Sequence, residues 1–258
     1  MSKLLEDIKQ IVKETSAIML EVTPEALEIA AKEGHGNFVT DYDVRVQKLL
    51  FARLGEIMPG AIFLGEEDEE EKTVGAGYTF IIDPIDGTSN FICGYGHSAI
   101  SVALALDGEV ILGVVYNPYR DEMYWAEKGE GAYLNGRKLM MVDRPLEKGV
   151  AACGTAPYHL DLTDKTFETM KQVFLNSMDI RRVGSAALDL CYTAANRNVL
   201  FFEWVLSPWD YAAASLVVTE AGGEFSQMDG SPVRIGDKCS VLAGTKTAMT
   251  DFHKVTGI

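Results

Sequence analysis

Apolar residues Leu4, Leu5, Ile8, Ile11, Val12, Ile18 and Met19 recur at helical spacing and predict an amphipathic N-terminal helix. A second helix is expected over residues 41–56, with Val44, Leu49, Leu50 and Leu54 on its buried side. Between them Lys32-Glu33-Gly34-His35-Gly36-Asn37 reads as a glycine-rich loop. Short apolar runs then predict strands at 62–64 and 79–82. From residue 99 to 133 the pattern changes to hairpins. The runs 100–106 and 110–116 flank Asp107-Gly108, a strong turn signal, and Asn117-Pro118 and Asn135-Gly136 mark further turns. After Asp143-Arg144-Pro145, strands at 150–153, 180–183 and 200–202 alternate with helices at 163–176, 185–195 and 211–221. The change of pattern places a domain boundary near Asp143: an N-terminal α+β half, 1–142, and a C-terminal α/β half, 143–258.

Composition narrows the function. The chain has 258 residues and a net charge of −15, and no basic stripe stands out, which argues against a general nucleic-acid binder. An anionic substrate would need positive charge supplied at the site, and metal ions would supply it. No apolar run is long enough to span a bilayer, and Met1-Ser2-Lys3-Leu4-Leu5-Glu6-Asp7 lacks a signal-peptide apolar core. Cys93, Cys153, Cys191 and Cys239 are scattered without a C-x-x-C pair, so reduced thiols in a cytoplasmic protein are expected.

The most informative stretch is Asp83-Pro84-Ile85-Asp86-Gly87-Thr88-Ser89-Asn90, which follows the apolar run Tyr78-Thr79-Phe80-Ile81-Ile82. Two carboxylates emerge at a strand end, three positions apart around a rigid proline. Gly87 permits a sharp turn, and Thr88, Ser89 and Asn90 suit a helix entry. Carboxylates beside a helix N-terminus suit a divalent cation with a bound phosphate.

This stretch, with Gly65-Glu66-Glu67 before it and Trp209-Asp210-Tyr211-Ala212-Ala213-Ala214 and Glu220-Ala221-Gly222-Gly223 after it, resembles the inositol monophosphatase family in order and spacing. The resemblance implies an α+β fold, a layered α-β-α-β-α sandwich of the inositol monophosphatase and fructose-1,6-bisphosphatase type. It also implies a lithium-sensitive, homodimeric phosphomonoesterase that uses two to three Mg2+ ions. In that family pattern Glu67, Asp83 and the Ile85 carbonyl hold a first metal, Asp83, Asp86 and Asp210 a second, and Glu67 helps a third. Val39-Thr40-Asp41-Tyr42-Asp43 matches the V-T-x-x-D pattern, so Asp43 and Thr88 would orient and deprotonate the attacking water, with Glu67 assisting. Gly87 and Thr88 would hold phosphate oxygens through their N–H groups. Asp86, Gly184, Ser185, Ala186 and Glu203 would contact the substrate. The expected substrate is a small phosphate monoester, inositol monophosphate or a similar polyol phosphate. Fructose-1,6-bisphosphate, histidinol phosphate and nucleotide 3′-phosphates are alternatives. A catalytically silent, protein-binding regulator is the alternative of another class.

Bland readings compete. The run 66–71 could be a solvated acidic face apart from Glu67, and Asp43 and Asp210 could be helix N-caps. Cys191 and Arg197 fit the C-x5-R pattern of thiol phosphatases, but the residues between them are helix formers, which points to a buried core cysteine. Asp41-Tyr42-Asp43 resembles the D-x-D of haloacid-dehalogenase phosphatases without the long strand that motif requires. Residues 92–97, Trp204 and Pro208 depart from the family pattern, which leaves the substrate more open than the metal set.

Overall fold

The computed structural model describes residues 2–22, 29–31, 38–68 and 73–258. The glycine-rich loop at 32–37 and Glu69, Glu70 and Glu71 lie outside them. In chain order the first elements are α1 (Lys3–Thr15), α2 (Ala17–Leu20), β1 (Ile29–Ala31), β2 (Phe38–Thr40), α3 (Asp41–Ile57), β3 (Ile62–Gly65), β4 (Tyr78–Asp86) and α4 (Thr88–Ile92). The hairpin region follows as β5 (Ala99–Leu106), β6 (Glu109–Asn117), β7 (Glu122–Glu127), β8 (Gly131–Leu134) and β9 (Arg137–Lys138). Then come β10 (Val150–Cys153), α5 (Thr163–Leu175), β11 (Asp179–Arg181), α6 (Ala186–Ala194), β12 (Leu200–Leu206), α7 (Pro208–Glu220), β13 (Glu224–Ser226), β14 (Cys239–Gly244) and α8 (Lys246–Thr256).

Strands β3 to β9 form a seven-stranded sheet in sequence order, antiparallel except for the β3–β4 pair. Its hairpins turn where left-handed residues sit: Asp107 and Gly108, then Asn135 and Gly136. A second, five-stranded sheet runs β11-β10-β12-β14-β13. Its β10–β11 and β10–β12 pairs are parallel, as strand–helix–strand units require.

Three apolar cores alternate with the sheets. Leu5, Ile8 and Val12 of α1 and Val46, Leu50 and Leu54 of α3 cover one face of the seven-stranded sheet, against Phe80, Ile82, Val102, Leu104 and Val114. Its other face meets α6 and α7, which also touch the five-stranded sheet. The outer face of that second sheet is covered by α5 and α8. The five layers are therefore α, β, α, β, α. Strand alternation tunes the spacing. On β5 the bulky Ile100, Val102 and Leu104 face α1 and α3, while Ala99, Ala103 and Ala105 face the central helices. Gly113 on β6 goes further: a Cβ there would lie 2.4 Å from the Ala213 carbonyl oxygen, so the backbone of α7 rests directly on the sheet. Residues Tyr211 to Val218 of α7 are buried on every side, as expected of a helix sealed between two sheets.

Residues 142 and 143 fall in the segment joining the two sheets. One continuous core joins Leu64, Ala103 and Val115 of the first sheet to Phe201, Val241 and Ala243 of the second.

Candidate active site

The chemistry gathers where both sheets meet α6 and α7. Strand β4 does not end at Ile82, as the apolar run suggests; it continues to Asp86, past a register shift against β5 between Asp83 and Asp86. The irregularity lets two residues three apart present carboxylates to the same place. Ile85 N–H donates to Asp83 Oδ1 at 2.9 Å, which holds the turn of chain between them. Asp210 arrives from the other half, in the first turn of α7. It is not the N-cap: Ser207 is, with Pro208 opening the helix, and Asp210 Oδ2 accepts from Ser207 N–H at 2.7 Å. Ligand oxygens of Asp83, Asp86 and Asp210 all lie within 4.8 Å of one another.

That proximity is costly without cations. Burial pushes the carboxyl of Asp83 well above its ordinary range, and the charges of Glu66, Asp86, Asp210 and Asp43 push the same way. Burial raises Asp86 to about 6, even though Ser185 and the backbone N–H of Ala187 donate to its Oδ2 and favour the charge. Asp210 is also raised well above normal, by burial first and then by Asp86 and Glu66. An acid cluster of this kind fits divalent cations, which take oxygen ligands and would relieve the repulsion. The residues present therefore fit the metal centre that the motif implies.

Glu67 is a correction. The cavity is lined by Glu66, whose charge bears on both Asp83 and Asp210, and Glu67 is not among its lining residues. The chain turns after β3, so neighbouring side chains diverge. Glu66 N–H donates to the Ile82 carbonyl at 3.2 Å, and Glu67 N–H donates to Gln47 Oε1 at 3.0 Å. The reading of Glu66 as a merely solvated residue is overturned with it.

Asp43 and Thr88 meet as expected. Thr40 is the N-cap of α3 and Asp43 its N3 residue, so the N-cap reading of Asp43 is corrected too. Asp43 Oδ2 accepts from Thr40 N–H at 2.8 Å and from Thr40 Oγ1 at 2.6 Å. Its Oδ1 lies 3.4 Å from Thr88 Oγ1, which also reaches the Ile85 carbonyl at 3.2 Å. Asp43 is fully buried, so this carboxylate is fixed in direction.

Gly87 precedes α4 with φ +89°, and a Cβ there would lie 3.0 Å from the carbonyl oxygens of Gly184 and His97. Only glycine suits both the left-handed backbone and that approach. Gly184, Ser185 and Ala186 line the cavity at the start of α6, where Ser185 is the N-cap and accepts from Leu188 N–H. Glu203 reaches in from β12. It is 7% exposed, burial pushes it up to about 7, and its Oε1 accepts from Ala156 N–H at 2.8 Å. The sequence reading missed Arg182, Asp189 and Tyr158, which line the same cavity of about 620 Å³. No motif marks them; only the folding of α6 and the β10–α5 connection brings them in.

The rival chemistries fail on geometry. Cys191 is buried in the middle of α6, its thiol pushed well up by burial, and Arg197 is paired with Glu122 through both guanidinium nitrogens at 2.9 and 2.6 Å. Asp41 sits in the first turn of α3 rather than at the end of a long strand. All four cysteines are free, and among the described residues no helix is long and apolar enough to cross a membrane.

Comparison with known proteins agrees with this architecture. The profile of the inositol monophosphatase family matches residues 1–256. An inositol-1-monophosphatase of Mesorhizobium japonicum is 38% identical over 221 residues, covering 85% of this chain and 82% of that protein. The Nus factor SuhB of Salmonella typhimurium is 38% identical over 210 residues, covering 81% and 78%. Among solved structures, the extragenic suppressor protein suhB of Bartonella henselae superposes with a TM-score of 0.91 at 32% identity, covering 99% of this chain and 98% of that one.

Proposed function

The chain belongs to the inositol monophosphatase family and is a phosphoric monoester hydrolase, and on that premise we propose that it hydrolyses the monophosphate of a polyol, inositol monophosphate or a close analogue, with magnesium. The observation that carries the metal reading is the buried carboxylate triad of Asp83, Asp86 and Asp210, three acids from two halves of the chain forced within 4.8 Å. Glu66, rather than Glu67, completes the set, together with the Ile85 carbonyl. Bound there, magnesium would neutralise the phosphate and acidify a water for in-line attack.

The protein's own groups do the rest. Asp43, held by Thr40, accepts through Oδ1 from the Thr88 hydroxyl and so aims the Thr88 oxygen lone pairs at an incoming water. A proton leaving that water passes to Thr88 as Thr88 passes its own to Asp43, while the ester P–O bond breaks on the opposite side and the departing alcohol oxygen takes a proton from solvent water. Gly87 and Thr88 lie where a phosphate held by the triad would meet backbone N–H groups. Gly184, Ser185, Ala186 and Glu203 form the wall toward the alcohol, and the Glu203 carboxylate favours hydroxyls over a second phosphate. Lithium competition at a weaker cation position and a cytoplasmic homodimer belong to the same reading.

The test is phosphate release from a panel of phosphorylated metabolites. Inositol and other polyol monophosphates should exceed fructose-1,6-bisphosphate, and EDTA should stop turnover. Release that persists with EDTA and no divalent ion would end the metal reading. A relative named as a Nus factor favours a second reading, a protein-binding regulatory role. A purely silent regulator sits poorly with retention of a buried acid cluster that costs stability without cations.

A further inference from the structure

Glu66 sits in the turn that follows β3, and that strand lies at the edge of the seven-stranded sheet, beside β4. The sheet therefore supports the turn from one side. The backbone contributes long hydrogen bonds, Glu66 N–H to the Ile82 carbonyl at 3.2 Å and Asp68 N–H to the Gly65 carbonyl at 3.3 Å. A side chain of α3 adds to them from the other side. Gln47 is 6% exposed. Its Oε1 accepts from Glu67 N–H at 3.0 Å, and its Nε2 donates to Asp68 Oδ1 at 3.3 Å. Asp68 Oδ2 accepts in turn from Gly65 N–H at 3.1 Å. Gly65 packs so close that a Cβ there would lie 2.6 Å from Gln47 Cδ. The amide has one workable orientation: reversed, its NH2 would face an N–H and its oxygen a carboxylate. A buried amide is costly unless its donors and acceptors are used. Here they are used on the two residues that flank Glu66, directly at Glu67 and through Asp68 at Gly65. Gln47 also lies one helical turn beyond Asp43, so one face of α3 carries both the partner of Thr88 and the clasp around Glu66.

We propose that Gln47 is a positioning residue for the cation site: with Asp68 it clasps the turn on both sides of Glu66 and keeps the Glu66 carboxylate directed into the cavity. The inference rests on the reading above that Glu66 completes the metal set, and it names what holds Glu66 there. A glutamate of the same shape does not serve, because it has no N–H for Asp68 and sets a second carboxylate against it.

The experiment uses the full chain, stripped with EDTA and dialysed, and Mn2+ as the probe. Binding is followed by the electron paramagnetic resonance of the free ion, and metal-free thermal melts check that each variant folds. Gln47→Ala and Gln47→Glu should each weaken Mn2+ binding roughly tenfold or more, the loss expected when a group that orients a metal ligand is removed. Gln47→Glu combined with Asp68→Asn exchanges acid and amide across the same contact. The new carboxylate then accepts from Glu67 N–H and from the new amide, whose oxygen accepts from Gly65 N–H. This exchange should bring binding back to within about threefold of wild type. Gln47→Ala combined with Glu66→Gln should bind no more weakly than Glu66→Gln alone, to within about twofold, because Gln47 acts through Glu66. Wild-type binding by Gln47→Ala, independent and additive losses in the combined variant, or an exchange that rescues nothing would each overturn the proposal. If Gln47→Ala does not fold, the comparison of Gln47→Glu with the exchange variant, both of native volume, decides. A Glu66→Gln protein that binds Mn2+ as tightly as wild type removes the Glu66 reading and this inference together. Weakened binding in Glu66→Gln beside an unaffected Gln47→Ala removes this inference alone.

Discussion

Adjacent residues can have opposite fates, and Glu66 and Glu67 show it. Asp83, Asp86 and Asp210 were legible because each has a fixed place in a motif beside a distinctive residue: rigid Pro84, turn-forming Gly87 and bulky Trp209. The G-E-E pair has no such marker. Its direction depends on the turn after Gly65, which is set by two distant partners, the Ile82 carbonyl and the Gln47 side chain. Sequence spacing contains neither. Glu66→Gln should therefore raise the magnesium needed for half-maximal turnover by at least roughly tenfold, as loss of a group that holds or orients a metal ligand does. Glu67→Gln should stay near wild type. Activity titrated against magnesium for both variants decides, and a reversed order would restore Glu67 to the site. Asp189 was illegible for a related reason: a buried acid in a helical first turn looks in sequence like an ordinary helix-start carboxylate.

At the scale of elements, most helices and strands followed from periodicity, since α3, α5, α6 and the β5–β6 hairpin carry clear apolar patterns and turn residues. The functional departures lie where elements are irregular. Strand β4 runs on through Pro84 to Asp86 with its register shift, and β12 shifts against β14 between Glu203 and Leu206. Both irregularities sit at cavity residues, and neither has a period to read. The β10–α5 connection gives a sharper test of how the elements share space. Gly154 follows β10 directly, and a Cβ there would lie 1.8 Å from Glu203 Oε2. The Glu203 carboxylate is anchored to Ala156 N–H, with Ala156 itself at φ +42°, so neither side can yield cheaply. Gly154→Ala should thus expel Glu203 from its seat. The expected result is a loss of polyol phosphate kcat/KM of about tenfold or more relative to an aryl phosphate, with a stability cost of about 1–3 kcal/mol from overpacking. Unchanged substrate ratios would mean that Glu203 does not set specificity.

Two properties belong to the whole molecule. The first is assembly. Phe167 and Phe174, two turns apart on α5, are at least half exposed, and Leu160 just before the helix and Leu175 and Met178 at its end extend the exposed apolar patch. Such a patch on the outermost layer, next to the edge strand β11, supports the homodimer proposed above. Phe167→Glu with Phe174→Glu should shift the protein to monomer in sedimentation velocity, and an unaltered sedimentation coefficient would move the interface elsewhere. The second is the coupling of stability to pH and metal. Burial lifts Asp86 to about 6 and Glu203 to about 7 in the folded, metal-free chain, above unfolded values of 3.8 and 4.5. A carboxyl with a raised folded pKa costs nothing below its unfolded value, where both states are protonated. It destabilises the fold progressively as pH climbs toward its folded value, because only the unfolded chain releases the proton easily. A tenfold difference in proton affinity between the two states is worth about 1.4 kcal/mol, so Glu203 alone removes about 3 kcal/mol as pH rises from its unfolded to its folded value. The carboxyls of half-buried Glu122 and exposed Asp179, held low by Arg197 and Arg181, work the other way and lose their contribution only at more acid pH. The EDTA-treated protein should accordingly melt highest near pH 5 and lose stability toward pH 8. Magnesium requires deprotonated ligands, so its stabilisation should be small at pH 5 and large at pH 8, flattening the profile. Thermal melts from pH 4.5 to 8.5, with and without magnesium, measure both curves. A metal-free melting temperature that rises steadily to pH 8 would contradict the burial of these acids, and equal magnesium stabilisation at both ends would show that the cation does not use them.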